Sequence, residues 1–273
     1  MRKLHPLVTL ILCFSILSCE EVIPLNLQFT APKLVIEAAI AWKKGTGGNV
    51  QKIKLSTTTD FYSTTPIAAK GAIVTIQNST NQTFNFIEVP NTGEYRCSNF
   101  VPLIGETYIL TIRYKGNTYT AIEVMQAVTK ITKVEQNNSG GFSGKNIELK
   151  TYFNDPILPS NFYLYRYTYS SQVTSSYYTD NDTFFNGNEF FSISQNDKIK
   201  PGDKVEINHY GITKAYYNYM SVLVSIAGNG GGSPFQSPPA TVRGNIINTT
   251  QPDNFPLGYF SLSEYDSVNY VVQ

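Results

Sequence analysis

Histidine is nearly absent from this chain. Of its two histidines, His5 falls in an N-terminal segment expected to be removed, which leaves His209 alone. One imidazole cannot build a His-rich zinc site, and no His-Glu-x-x-His pair is present. A Ser-His-Asp triad would have to use His209. It lies in "DKVEINHYG", which alternates as a strand with Val205, Ile207 and His209 on one face. That is the setting of a packed histidine.

Cysteine is as scarce. Cys13 leaves with the leader, Cys19 sits at the leader's end, and Cys97 stands alone in the strand-like "GEYRCSNF". No intrachain disulfide is possible, and Cys97 reads as a small buried hydrophobe. Charge is low as well, at 15% Asp, Glu, Lys and Arg. Removing Arg2 and Lys3 from 21 basic residues leaves 19 against 20 acidic ones. A near-neutral mature chain has no basic patch for nucleic acid. No Gly-rich phosphate loop occurs, and no cofactor is expected. Paired carboxylates stay open, because their spacing in space is not visible in a sequence.

What is present begins at the N-terminus. Arg2 and Lys3 precede an apolar run over 7–17, too short to span a bilayer comfortably. The run ends in Ile16-Leu17-Ser18-Cys19, the form of a bacterial lipobox. The Cys19 thiol is the one side chain here nucleophilic enough to take diacylglycerol as a thioether. Each buried acyl CH2 then adds about 0.8 kcal/mol of membrane affinity. The expected organisation is a signal peptide over 1–18 and a lipid-anchored tether over 19–30. Glu20 and Glu21 resemble a surface-export signal, which points to the outside of the outer membrane.

The rest has the texture of an extracytoplasmic β protein, with 19 Tyr and 16 Phe. Short alternating runs such as "LVIEAAI", "VQKIKLS" and "AIVTIQN" are evenly spaced. "ETYILTIRYKGNTYTAIEV" is a hairpin turning at Lys115-Gly116-Asn117. An immunoglobulin- or fibronectin-like sandwich is expected over 31–135. "QNNSGGFSGKN", 136–146, reads as a loop or domain border. A second β-rich domain is expected over 136–273, with a helix over 213–228. Thr213 serves as its N-cap and Gly228 as its C′ residue, and Tyr216, Tyr219, Met220, Leu223 and Ala227 form its core stripe.

Two stretches invite ligands. Tyr163, Tyr165, Tyr167 and Tyr169 share one strand face. They read either as aromatic core or as a stacking platform for sugar rings or a peptide. "YTDNDTFFNGNEF" offers Asp180, Asp182, Asn186, Asn188 and Glu189, but Gly187 falls too late for an EF-hand loop. A polar hairpin loop is expected there, and no metal site.

The last third carries Pro234-Phe235-Gln236-Ser237-Pro238, then Gly244-Asn245-Ile246, then Gly258-Tyr259-Phe260. Taken with "SCEEVIPLNL", "KLVIEAAI" and "ITKAYYNYM", their order resembles a Bacteroidota lipoprotein family of unknown function, domain of unknown function 4249. The "NTTQPDNFP" insertion departs from its pattern. The family is often encoded beside TonB-dependent receptors. The resemblance thus implies a β-barrel transporter as partner and a role in capturing a nutrient, and it supplies no catalytic residue. The motif aromatics Phe235 and Tyr259 read as packing groups, with ligand contact as the alternative. The leading expectation is a non-enzymatic accessory subunit of TonB-dependent uptake. A stand-alone carbohydrate- or peptide-binding adhesin and a carboxylate-dependent hydrolase are the alternatives.

Overall fold

The structure is a computed structural model and describes residues 31–59, 63, 65–141, 144–228 and 242–273. Cys19 and the 234–238 motif with Phe235 lie outside the described residues.

The first strands are β1 (Leu34–Lys43), β2 (Gln51–Thr57), β3 (Ile67–Ala68), β4 (Ile73–Asn78), β5 (Thr83–Glu88), β6 (Glu94–Cys97), β7 (Thr107–Tyr114) and β8 (Asn117–Val124). There follow β9 (Ile131–Gly140), β10 (Asn146–Asn154), β11 (Phe162–Tyr169), β12 (Ser176–Asn181), β13 (Glu189–Asn196) and β14 (Lys204–Ile212). The helix α1 (Lys214–Gly228), β15 (Ile247–Asn248) and β16 (Leu257–Val271) complete the chain.

Alternation decides which face each strand buries. In β1, Leu34, Ile36, Ala38 and Ile40 are buried, while Glu37 and Ala39 between them are exposed. Ile53 and Leu55 on the neighbouring β2, with Val74, Ile76, Tyr108, Leu110 and Ile112 on β4 and β7, close the same core. The β7–β8 turn needs two residues only. Lys115 (φ 46°) and Gly116 (φ 76°) supply the positive φ pair of a type I′ turn, and Asn117 already belongs to β8. The main sheet runs β12-β11-β14-β16-β1-β2-β6-β5-β4-β7-β8-β15, with β3 on β2. A three-stranded sheet, β13-β10-β9, covers β11 and β14 over a second core. The mainly β, sandwich-based architecture, with one α-helix among the described residues, is as expected.

Three expectations change. The division at 135/136 does not follow the strand pairing, because β16 belongs to both halves. Its first part runs parallel to β1, from Val35 opposite Leu257 to Lys43 opposite Tyr265. Its second part runs antiparallel to β14, from Tyr210 opposite Tyr265 to Lys204 opposite Val271. The linker between the halves is pinned to this strand. Val128 N–H donates to Glu264 Oε2 at 3.0 Å, and Ile131 N–H donates to Asp266 Oδ2 at 2.8 Å. Lys44 Nζ lies 2.7 Å from the same Glu264 oxygen. Second, residues 136–140 are strand rather than loop. They present mostly exposed polar groups and are held by the ladder to β10, so their own pattern carries no apolar face. Third, the 178–190 stretch is no hairpin. β12 pairs with β11 while β13 pairs with β10, so the segment crosses between sheets.

The helix begins as expected: Thr213 Oγ1 accepts from Tyr216 N–H at 3.3 Å. Gly228 is its last residue rather than the residue after it. Its stripe is not core, because α1 lies on the outer sheet face: Tyr216, Tyr219, Met220 and Leu223 are half-buried and Ala227 is exposed. Tyr217 packs on Phe162 of β11 at 5.3 Å, and Ser221 pairs with Thr179 of β12 at 3.0 Å. Among the described residues no helix is long and apolar enough to cross a membrane.

Candidate functional site

The outer face of β2, β1, β16, β14, β11 and β12 forms a groove of about 720 Å³ that opens to solvent. Its floor is made of small residues. Ala39 stands opposite Ser261 and Ala41 opposite Ser263 across the β1–β16 pairing. One wall comes from the second half: Leu164 and Arg166 on β11, Tyr177 on β12, Tyr210 on β14, and Tyr216 at the start of α1. The other comes from the first half, with Glu37, Lys52, Lys54, Thr92 and Glu94. A volume of this order is typical of ligand sites.

Two of the three cations lining the groove have a carboxylate within 4.0 Å. Lys52 Nζ lies 4.0 Å from Glu94 Oε2, and Arg166 Nη2 lies 3.9 Å from Glu206 Oε1. Glu37 is directly across from Lys54 in the β1–β2 register. Arg166 Nε is buried and has no hydrogen-bond partner among the described residues. Burial raises the Tyr210 phenol, with the Arg166 guanidinium pulling the other way. Burial also pushes Tyr216 up to about 12, with Ser261 opposing. Both phenols are therefore neutral donors and acceptors at physiological pH.

The residues singled out from the sequence lie elsewhere or beneath the groove. Tyr163, Tyr165, Tyr167 and Tyr169 are buried between β11 and the three-stranded sheet, so they are core and not a stacking platform. Tyr163 Oη donates to Asp155, and Tyr167 Oη donates to Thr151 Oγ1 at 2.9 Å. Tyr259 lies under α1, 4.7 Å from Tyr216 and 4.8 Å from Tyr219, and its hydroxyl donates to Glu123 at 3.4 Å. Burial raises the Glu123 carboxyl. Cys97 is buried, as expected. Asp182 is buried and accepts from Asn161 N–H at 2.6 Å, and no cluster of metal ligands forms among the described residues.

His209 is packed, not poised for chemistry. It is enclosed by Phe153, Tyr163 and Tyr165, with its ring parallel to that of Tyr165 at 4.7 Å. Burial drives its pKa down to about 3. Neither ring nitrogen nor the Tyr165 hydroxyl has a hydrogen-bond partner among the described residues.

The C-terminal motifs fold onto one another. Asn245 Nδ2 donates to the Phe260 carbonyl at 2.8 Å, and Phe260 N–H donates to Asn245 Oδ1 at 2.9 Å. Gly258 sits at φ +98°, and a Cβ there would meet the Ile36 carbonyl oxygen. Gly244 lies so close to the Gly258 carbonyl that a side chain has no room. These glycines let the last strand lie against β1.

No curated protein matches the sequence. Among solved structures, a two-domain fibronectin type III segment of chicken tenascin is similar at 13% identity and a TM-score of 0.22, over 66% of this chain and 90% of that one. The FN1–FN3 domains of chicken CNTN1 are similar at 12% identity and a TM-score of 0.25, over 66% and 60% of the two chains. A DUF4785 family protein of Legionella pneumophila is similar at 7% identity and a TM-score of 0.27, over 67% and 54%. The profile of a family described as Domain of unknown function (DUF4249) matches residues 20–268.

Proposed function

This chain belongs to the DUF4249 family, and we propose that it is an outer-membrane surface lipoprotein serving as a non-enzymatic, ligand-capturing subunit of a TonB-dependent uptake system. The groove carries this reading: a solvent-open site with three tyrosines on one wall and paired charges on the other. The lipobox at Cys19 supplies the anchor, and anchoring raises the effective concentration at a membrane partner. Glu37 and Glu94, the carboxylates lining the groove, each have a lysine as neighbour across a strand gap. That favours ion pairing over an acid and a base. The groove is complete within one chain, which also suits the second reading, a stand-alone carbohydrate- or peptide-binding adhesin. Purification of the lipid-anchored chain from solubilised outer membranes separates the two. The first reading expects a β-barrel receptor to co-elute, and the second does not.

A further inference from the structure

We infer that the groove takes a neutral oligosaccharide, lying across the Ala39–Ser261 floor with sugar rings against Tyr177 and Tyr210. This deepens the capture reading and rests on it. Four observations lead to a glycan.

The cations of the groove already have carboxylate neighbours: Lys52 with Glu94, Lys54 with Glu37, and Arg166 with Glu206. An anionic ligand at Lys52 or Arg166 would have to compete with a carboxylate already within 4.0 Å. A sugar hydroxyl gives one proton and accepts others, and paired ammonium and carboxylate groups provide both kinds of partner in one volume.

The tyrosines suit the same ligand. Tyr177 is partly exposed at the rim, and Tyr210 is held by its stack on Tyr265 at 5.0 Å. A fixed phenol ring offers a flat face to the C–H side of a pyranose and a hydroxyl at its edge. The third observation is the Arg166 Nε, a buried donor with no partner among the described residues. Leaving such a donor unpaired costs about 1–3 kcal/mol, and a rotation of the Arg166 side chain, which is 36% exposed, brings it to a ligand oxygen.

The fourth concerns peptides. A peptide strand gains its main-chain hydrogen bonds by adding to a free sheet edge. The floor strand β1 is paired with β16 from Val35 to Lys43 but with β2 only from Leu34 to Glu37, and beyond that point the Gln51 side chain takes both the N–H and the carbonyl of Ala41. With Gln51 closing the ladder side at Ala41, no continuous free edge runs along the floor for a peptide strand to add to.

The test uses the full chain in an amine-oxide detergent, so that no glycoside competes. Calorimetric titration is run with neutral oligosaccharides of about four to six rings, drawn from glucans, mannans and xylans. Uronate oligomers and mixed short peptides form the other arms. The expected result is saturable binding of at least one neutral oligosaccharide, weakened about tenfold or more by Tyr210→Ala and by Arg166→Met. Ala39→Trp, at an exposed floor position, should block binding while the melting curve stays that of wild type. The inference is overturned if no neutral oligosaccharide binds at millimolar concentration, if uronates or peptides bind more tightly at the groove, or if glycan binding survives all three variants. Failure here leaves the co-elution of a receptor untouched. Glycan binding without a receptor would keep this site and remove the uptake role.

Discussion

The side chain of Asn245 pairs with the backbone of Phe260 as a neighbouring strand would, giving one hydrogen bond and accepting one, at 2.8 and 2.9 Å. This joins two motifs that are separated in sequence by the insertion and fixes the start of β16. Asn245→Ala leaves the buried Phe260 amide and carbonyl without partners, at about 1–3 kcal/mol for such a group. Tyr259→Ala next to it removes a nearly buried ring between Glu123 and α1, at about 3–5 kcal/mol. Chemical denaturation of both variants should show these losses. Wild-type midpoints would mean that the motifs act on something other than the fold.

Gly258→Ala tests the approach of β16 to β1. The backbone at φ +98° is strained for any side chain, and the added Cβ would press on the Ile36 carbonyl. The expected loss exceeds about 2 kcal/mol, since strain and clash add. A thermal melt measures it. Gly116→Ala, where nothing lies within 4 Å, should cost less, about 1 kcal/mol from positive φ alone.

His209 makes stability depend on pH. Its folded pKa is about 3, against an ordinary value of 6.5. Between those values the unfolded chain binds more protons, so this group lowers stability as pH falls, by up to about 1.4 kcal/mol per pH unit. Asp180 has the opposite sign. Burial raises it to about 6, so below that pH the folded chain holds the extra proton and is favoured. The difference isolates His209: relative to wild type, His209→Phe should gain stability steadily as pH drops below about 6.5. Denaturation curves between pH 7 and 4 give the slope. Parallel curves for the two proteins would show that His209 is not buried in its neutral form.

Much of this architecture can be read from the sequence, and the reasons it stops are physical. Lys115-Gly116 marks its hairpin because positive φ selects residues locally. Thr213 marks its helix start for a similar reason, as its hydroxyl reaches a backbone N–H three residues on. The tyrosines of β11 declare a common face, but alternation does not say whether that face meets a second sheet or water. Burial under the three-stranded sheet decides it. The parallel pairing of β1 with β16 joins the two ends of the fold, and no local pattern encodes it. The groove inherits that difficulty. Its residues lie at alternate positions on strands whose other face is core, as Arg166 does between Tyr165 and Tyr167. The legible trace is a charged residue in the middle of an aromatic strand.

Thr213→Ala probes the helix that walls the groove. It removes the cap to Tyr216 N–H and the hydrogen bond to Glu123 Oε2 at 3.2 Å. A cost of about 1–2 kcal/mol is expected. Hydrogen exchange should show the first turn of α1 opening more readily while β7 and β8 keep their protection. Equal loss of protection throughout the chain would mean that the helix and the sheet unfold as one.

The central claim is that a lipid-anchored capture protein works on a β-barrel receptor. Quantitative mass spectrometry of proteins co-purified with the full chain, from outer membranes solubilised without crosslinking, tests it most directly. Wild type and Cys19→Ala are compared at matched expression. The account predicts strong enrichment of a TonB-dependent β-barrel with wild type. It also predicts loss of palmitate-analogue labelling and a marked fall in that enrichment with Cys19→Ala, because the anchor supplies the effective concentration. Repeated purification without any barrel protein, or labelling and enrichment unchanged by Cys19→Ala, would contradict it.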